Sequence, residues 1–113
     1  MVATAPALAQ NTGSLRGTVT DTTGAIVPGA TLTLTNEGTK FTRTAVSDAK
    51  GGFFFASVDP GVYRLKAEVS GFKTQEVKGL RMSANDTLGV EMKMEVGQQT
   101  ETVEVTAGRE MIQ

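Results

Sequence analysis

The chain of 113 residues is long enough for one domain, and its formal net charge of −1 gives no electrostatic basis for binding nucleic acid or an anionic membrane. It contains no cysteine and no histidine, which excludes disulfides, thiol nucleophiles, Ser-His-Asp triads and zinc sites built on these residues. Nothing in the sequence arranges carboxylate or lysine chemistry either. We therefore expect a protein that is not an enzyme and that has no cofactor or metal.

The first ten residues resemble the end of a secretion signal. Ala7-Leu8-Ala9 is the small-x-small pattern of a signal-peptidase site, and Gln10 follows it. A basic segment and a full apolar segment are missing, so we interpret residues 1–9 as a signal-peptide remnant or disordered tail. The alternative is an alanine-rich terminus that matches this pattern by chance.

Two strands are predicted in the next part of the chain. Ser14–Thr20 alternates apolar or small residues with polar ones. In the segment from Ala30 to Thr35, one alanine and two leucines alternate with three threonines. Pro28 lies between them and favours an extended connector, because proline cannot donate a ladder hydrogen bond.

The third predicted strand, Lys40–Ser47, has an irregular apolar pattern. Phe41 and Val46 fall on opposite faces of it. We therefore expect either a bulge in this strand or one of these two side chains exposed to solvent.

The stretch Asp48–Phe72 contains the densest apolar pattern in the chain. Phe53 and Phe55 alternate with other residues, Asp59-Pro60-Gly61 is a turn sequence, and a second alternating run begins at Tyr63. These features predict strand, tight turn and strand, which together form a hairpin at the centre of the core.

Two more strands are predicted after this hairpin. Thr74–Met82 changes its apolar parity across Gly79, which indicates a bulge or a bend at that glycine, and Leu88–Met94 alternates regularly. The total is seven short strands with turn sequences between them and no apolar pattern of helical period. The simplest arrangement is an all-β, seven-strand antiparallel sandwich of two sheets.

The character of the sequence changes after Val96. Gly97-Gln98-Gln99 has the composition of a linker, and Thr100–Ala107 is again extended, with Val103 and Val105 on one face. This segment is either an eighth strand of the sandwich or a detachable docking segment.

Residues 13–95 resemble the carboxypeptidase-regulatory-like domain, a transthyretin-like (prealbumin-like) sandwich of Greek-key type. The motifs that carry the resemblance are GSLRGTVTDTTGAIVPGATLTLTN, SDAKGGFFF, DPGVYRL and SGF. The residues that fit the family pattern are Gly17, Val19, Asp21, Gly24, Pro28, Gly29, Ala30, Leu32, Asp48, Gly51, Phe53, Phe55, Pro60, Gly61, Tyr63, Leu65, Gly71 and Phe72. An additional Gly52, and Asp59 where a second proline is common, depart from it. These are structural positions, so the resemblance implies a fold and not an active site.

The two ends of the chain make it similar to the N-terminus of a TonB-dependent outer-membrane receptor, in which such a domain precedes a plug and a β-barrel. Residues 96–113 would then be a linker that leads to the plug. The part of this linker that resembles a TonB box consists of Glu101, Thr102, Val103, Glu104, Val105, Thr106 and Ala107. In such receptors this short extended motif is captured by the periplasmic domain of TonB through β-augmentation.

Other residues have simpler structural explanations. Asp21, Asp48, Asp59 and Asp86 all lie in predicted turns, where an aspartate usually bonds to its own backbone; a calcium site is the weaker alternative. Phe54 points opposite to its two phenylalanine neighbours, so it is either exposed on a partner-binding face or covered by a loop or the tail. The Tyr63 hydroxyl is expected to bond back to the preceding turn, as in a tyrosine corner.

Two functions follow from the resemblance. The first is a non-catalytic module on the periplasmic side of the bacterial outer membrane, which presents residues 101–107 to TonB and adjoins the plug and barrel of the same chain. The alternative is an accessory β-sandwich of a secreted peptidase or of a cell-surface carbohydrate-binding protein.

Overall fold

The computed structural model describes residues 12–107, and the regular structure of this part consists of eight β-strands. In chain order they are β1 (Gly13–Asp21), β2 (Thr31–Asn36), β3 (Thr42–Val46), β4 (Gly52–Val58), β5 (Gly61–Glu68), β6 (Thr74–Met82), β7 (Thr87–Met94) and β8 (Thr102–Thr106). Within residues 12–107 there is no helix long and apolar enough to cross a membrane. The predicted signal-peptide remnant lies outside these residues.

The strands form two sheets that pack face to face. One sheet has three strands in the order β4-β1-β7, and the other has five in the order β3-β2-β5-β6-β8. All seven predicted strands are present, and the all-β sandwich is confirmed. The purely antiparallel arrangement is wrong, because β1 pairs with β7 and β6 pairs with β8 in parallel. The eighth strand is the segment for which the sequence left two interpretations open.

The predicted central hairpin does not form. β4 pairs with β1 in the smaller sheet, whereas β5 pairs with β2 and β6 in the larger one. Asp59-Pro60 therefore leads the chain across from one layer to the other. Alternation alone could not distinguish these arrangements, because a strand buries every second side chain in either sheet.

The core fills the space between the two sheets. Each layer contributes alternate side chains, and the largest fully buried ones are Phe55, Leu15, Leu32, Leu34, Leu65, Leu80, Met92, Met94, Val19, Val58 and Val77. Phe53 and Phe55 meet edge to face, with ring centroids 6.3 Å apart, and the guanidinium of Arg43 lies 5.8 Å from the Phe55 centroid. Phe53, Phe55 and Tyr63 are buried, as predicted.

The two predicted irregularities have different outcomes. The β5–β6 register shifts between the Tyr63–Leu80 and Leu65–Val77 pairs, so Lys78 and Gly79 together face Arg64 and the bulge is confirmed. In contrast, Phe41 and Val46 are both exposed, although only one was expected to be. Phe41 precedes β3, and Val46 lies on the outer face of an edge strand, so neither has a second layer over it.

Candidate docking strand

The TonB-box-like segment forms an edge strand of the larger sheet. β8 runs parallel to β6, with Thr102 opposite Thr74 and Thr106 opposite Lys78. The segment is therefore paired along one side, as an eighth strand, which is one of the two interpretations that the sequence left open. β6 offers it an edge that no other strand among residues 12–107 occupies, so pairing satisfies backbone groups that would otherwise rely on water.

Backbone hydrogen bonds fix both ends of β8. The Thr74 N–H donates to the Glu101 carbonyl at 2.8 Å, and the Ala107 N–H donates to the Lys78 carbonyl at 2.7 Å. The Thr74 hydroxyl also donates to the Gln99 carbonyl at 2.8 Å. These contacts hold the segment extended from the linker to the last predicted docking residue.

The side chains of this segment alternate between a shielded and an open face. Val103, Val105 and Ala107 are half-buried, and Val105 and Ala107 pack against the core. Glu101, Thr102, Glu104 and Thr106 are exposed. β8 thus adds little to the buried core, which makes it a peripheral strand of the sandwich.

Charged side chains accompany β8 on the outer face of the sheet. The Glu104 carboxylate lies 3.5 Å from the Lys78 ammonium, and Glu104 stands directly opposite Glu76 in the register. Glu76 is buried at this position and pairs with Arg64 at 3.5 Å. Lys78 attracts Glu104, but the like charge of Glu76 on the opposite strand repels it. Side-chain electrostatics therefore hold β8 only weakly.

The hydrogen bonds at the two ends of β8 show which of its backbone groups remain free. Glu101 and Ala107 direct their bonding groups towards β6. Successive residues of a strand point their N–H and C=O groups to opposite edges. Consequently Thr102, Glu104 and Thr106 direct theirs outward, to an edge that is unpaired within the described part of the chain.

Three of the four predicted turn aspartates, Asp21, Asp48 and Asp86, accept local hydrogen bonds through their side chains. Asp21 accepts from the Thr23 hydroxyl at 2.6 Å and the Thr23 N–H at 2.8 Å, and these bonds lower the pKa of Asp21. Asp48 accepts from the Gly52 and Lys50 N–H groups, both at 2.9 Å, and its pKa is lowered chiefly by the bond from Gly52. Residues 12–107 contain no cluster of three or more potential metal ligands.

Two further predictions concern aromatic side chains. The Tyr63 hydroxyl donates to the Asp59 carbonyl at 2.7 Å, so the predicted tyrosine corner is confirmed. Phe54 is exposed, which was one of its two predicted states. The β6 residues that hold β8, Thr74 and Lys78, were not predicted from the sequence, because an alternating pattern does not reveal which strand lies beside which.

Comparison with known proteins identifies the family of the chain. The family model of the carboxypeptidase regulatory-like domain matches residues 14–95. The chain belongs to this family. The match ends between β7 and β8, so β8 lies outside the family's own pattern. No curated protein matched the sequence.

Solved structures resemble this regulatory-like domain in fold. The Bacillus anthracis TIE protein aligns at 20% identity and a TM-score of 0.62, over 76% of this chain and 17% of that one. A candidate carbohydrate-binding protein from Bacteroides uniformis aligns at 22% identity and a TM-score of 0.60, over 73% and 40% of the respective chains. This chain thus spans less than half the length of these two proteins.

A third similar structure is 5-hydroxyisourate hydrolase from Klebsiella pneumoniae. It aligns at 24% identity and a TM-score of 0.55, over 74% of this chain and 91% of the hydrolase. The fold of the regulatory-like domain is therefore transthyretin-like. At these identities the likeness shows the fold alone, since unrelated functions share such sandwiches.

Proposed function

We propose that this regulatory-like domain is a non-catalytic module of a TonB-dependent outer-membrane transporter, sited on its periplasmic side, and that β8 docks the periplasmic domain of TonB. The observation that carries the proposal is the outer edge of β8, where Thr102, Glu104 and Thr106 direct backbone groups to solvent. The TonB-box resemblance of residues 101–107 names the partner.

The binding mode is β-augmentation. An extended segment of TonB adds to the open edge of β8, and the main-chain ladder supplies most of the affinity. The sandwich holds β8 extended through its bonds to Thr74 and Lys78, so the strand does not have to be ordered when the partner arrives. The function of the fold in this proposal is to present a strand edge to TonB, next to the plug and barrel of the same chain.

A titration with paired proline variants tests this assignment. Glu104→Pro removes an outward N–H from β8 and leaves the backbone bonds to β6 in place, because a proline is tolerated where an edge strand faces solvent. It also removes the exposed ion pair with Lys78, which contributes little. We expect it to weaken binding to a purified TonB periplasmic domain at least about tenfold, equivalent to about 1.4 kcal/mol. Isothermal titration calorimetry with the full chain measures this.

The matched control is Thr44→Pro, at the opposite edge of the same sheet. The Phe41 carbonyl accepts from the Asn36 N–H, and the Ser47 N–H donates to the Ala30 carbonyl. The odd-numbered residues of this segment therefore face β2, and Thr44 of β3 directs its N–H outward as Glu104 does. Thr44→Pro is expected to leave the TonB affinity unchanged. Equal affinity for the parent and Glu104→Pro would refute docking at the β8 edge, and no binding of the parent would refute the TonB assignment.

A further inference from the structure

A cleft opens at one end of the sandwich, between the β2–β3 turn and the β4–β5 connection. Its volume is about 500 Å³, and it is lined by Asn36, Thr39, Phe41, Asp59, Pro60 and Tyr63. The position is distinct from the outer edge of β8. Its walls combine an aromatic ring with hydroxyl, amide and carboxylate groups.

Phe41 forms the apolar wall of this cleft. It is 67% exposed, the largest exposed fraction of any aromatic side chain in residues 12–107. Neither sheet covers it, and a ring left in water forgoes the stabilisation that burial of a large apolar side chain provides. A ligand that covers the ring face would recover part of this free energy.

Some polar groups of the cleft are used in hydrogen bonds within the domain, and others remain available to a ligand. The Asn36 side-chain oxygen accepts from the Gly38 and Thr39 N–H groups at 2.8 and 3.0 Å, so its amide NH₂ keeps its donor capacity. The Asp59 carbonyl accepts from the Tyr63 hydroxyl. No hydrogen bond or ion pair from another described residue engages the Asp59 carboxylate.

Hydrogen bonds fix the two walls in place. On one side, the Glu37 N–H donates to the Val62 carbonyl at 2.9 Å, which ties the β2–β3 turn to the start of β5. On the other, the Arg43 guanidinium donates to the Ser57 carbonyl at 3.3 Å. The site is thus largely formed before a ligand arrives, which reduces the cost of ordering it.

Two residues beside the cleft have left-handed backbone conformations that side chains rarely adopt. Lys40 has φ +67° and Ser57 has φ +53°, and the third non-glycine case in residues 12–107, Asn85, lies in a separate turn. Such strained residues concentrate at ligand-binding positions. Here one strained residue adjoins each wall.

We propose that this cleft binds a sugar ring of a neutral oligosaccharide. A pyranose has an apolar C–H face that can stack on Phe41, and hydroxyls at its edge that can donate to the Asp59 carboxylate and accept from the Asn36 amide. The carboxylate disfavours an anionic ligand, and the polar walls disfavour a purely apolar one. This inference is independent of TonB docking, because it uses none of the β8 residues.

The experiment is an NMR titration of the ¹⁵N-labelled full chain with maltohexaose, xylohexaose, cellohexaose and N,N′-diacetylchitobiose, each raised to 20 mM. At least one sugar is expected to shift the amide signals of residues 36–41 and 59–63. Phe41→Ala and Asp59→Ala, both at exposed side chains, are expected to weaken that binding at least tenfold. Amide spectra of the free variants verify that each remains folded.

Phe54→Ala is the matched control, because Phe54 is the other strongly exposed phenylalanine and lies on the smaller sheet, away from the cleft. It is expected to bind the sugar with parental affinity. The proposal is overturned if none of the four sugars shifts the cleft signals, if Phe41→Ala binds as the parent does, or if Phe54→Ala weakens binding equally. Each of these outcomes leaves the TonB titration unaffected.

Discussion

Gly17 lies where the backbone of β7 comes very near to that of β1. A Cβ built at this position would lie 1.7 Å from the Val90 carbonyl oxygen and 2.9 Å from the Phe53 ring. The side chain that glycine lacks would therefore fill space that the neighbouring strand β7 occupies. The family pattern marks Gly17, but the reason became visible only with the register of the parallel β1–β7 pair.

Gly17→Ala is therefore expected to be severely destabilising. The obstructing atom belongs to the backbone and cannot rotate away, so we expect a loss of more than about 4 kcal/mol in the free energy of unfolding. Gly89→Ala is the matched control, because it lies on β7 and a Cβ there would meet nothing within 4 Å. Urea denaturation followed by circular dichroism measures both. Similar midpoints for the two variants would contradict the close approach.

Tyr63→Phe tests the tyrosine corner. The substitution removes the hydroxyl bond to the Asp59 carbonyl and retains the buried ring, so we expect the free energy of unfolding to fall by about 1 kcal/mol. Thermal and urea unfolding measure the change. A variant as stable as the parent would mean that the hydrogen bond does not contribute to the corner. The sequence P-G-x-Y was sufficient to predict this bond because both partners lie within five residues.

At the scale of the strands, the sequence predicts which segments form strands better than it predicts which strands pair. Alternation placed all seven strands of the family domain and the bulge at Gly79, because both are local properties of the chain. It failed for the supposed hairpin of β4 and β5, and it did not predict the parallel neighbours of β1 and β6. A strand buries the same side chains whether its neighbour is in one sheet or the other.

The role of β8 in stability is also an element-scale question. The buried core residues all belong to positions 15–94, whereas Val103 and Val105 of β8 are half-buried. A chain that ends after Gly97 is therefore expected to fold with the same sandwich and to lose about 1–3 kcal/mol. Amide NMR spectra and urea denaturation measure this. Loss of the folded spectrum would show that β8 belongs to the core and is not a peripheral strand.

At the scale of the whole molecule, pH dependence follows from the acidic turns. The pKa values of Asp21 and Asp48 are lowered in the folded state, so each carboxylate contributes stability above its unfolded pKa, ordinarily about 3.9. That contribution is lost as the pH falls through the lower folded value. Asp48 is exposed and Asp21 is half-buried, so solvent screening limits the effect.

The double variant Asp21→Asn, Asp48→Asn isolates this contribution. Its amide oxygens can still accept hydrogen bonds, but the negative charge that strengthens them is gone. Its stability is expected to fall less between pH 5 and pH 2.5 than that of the parent, as measured by urea midpoints across that range. Parallel pH profiles for the two proteins would contradict the assigned role of these carboxylates.

The proposed docking site shows how much of a site a sequence motif can predict. Residues 101–107 could be selected from the sequence because their composition changes after the family domain and resembles a TonB box. Their attachment to β6, the open edge of Thr102, Glu104 and Thr106, and the opposition of Glu104 to Glu76 all depend on a pairing between distant segments. The cleft at Phe41 and Asp59 was missed for the same reason, since a turn and an interlayer connection form it.

Amide hydrogen exchange on β8 tests the central claim most directly. With the TonB periplasmic domain in excess, the amides of Thr102, Glu104 and Thr106 are expected to gain protection, while those of Val103 and Val105 keep the protection that pairing with β6 already gives. This alternating pattern follows from augmentation of the outer edge. Unchanged exchange at all five amides, or loss of protection at Val103 and Val105, would contradict it.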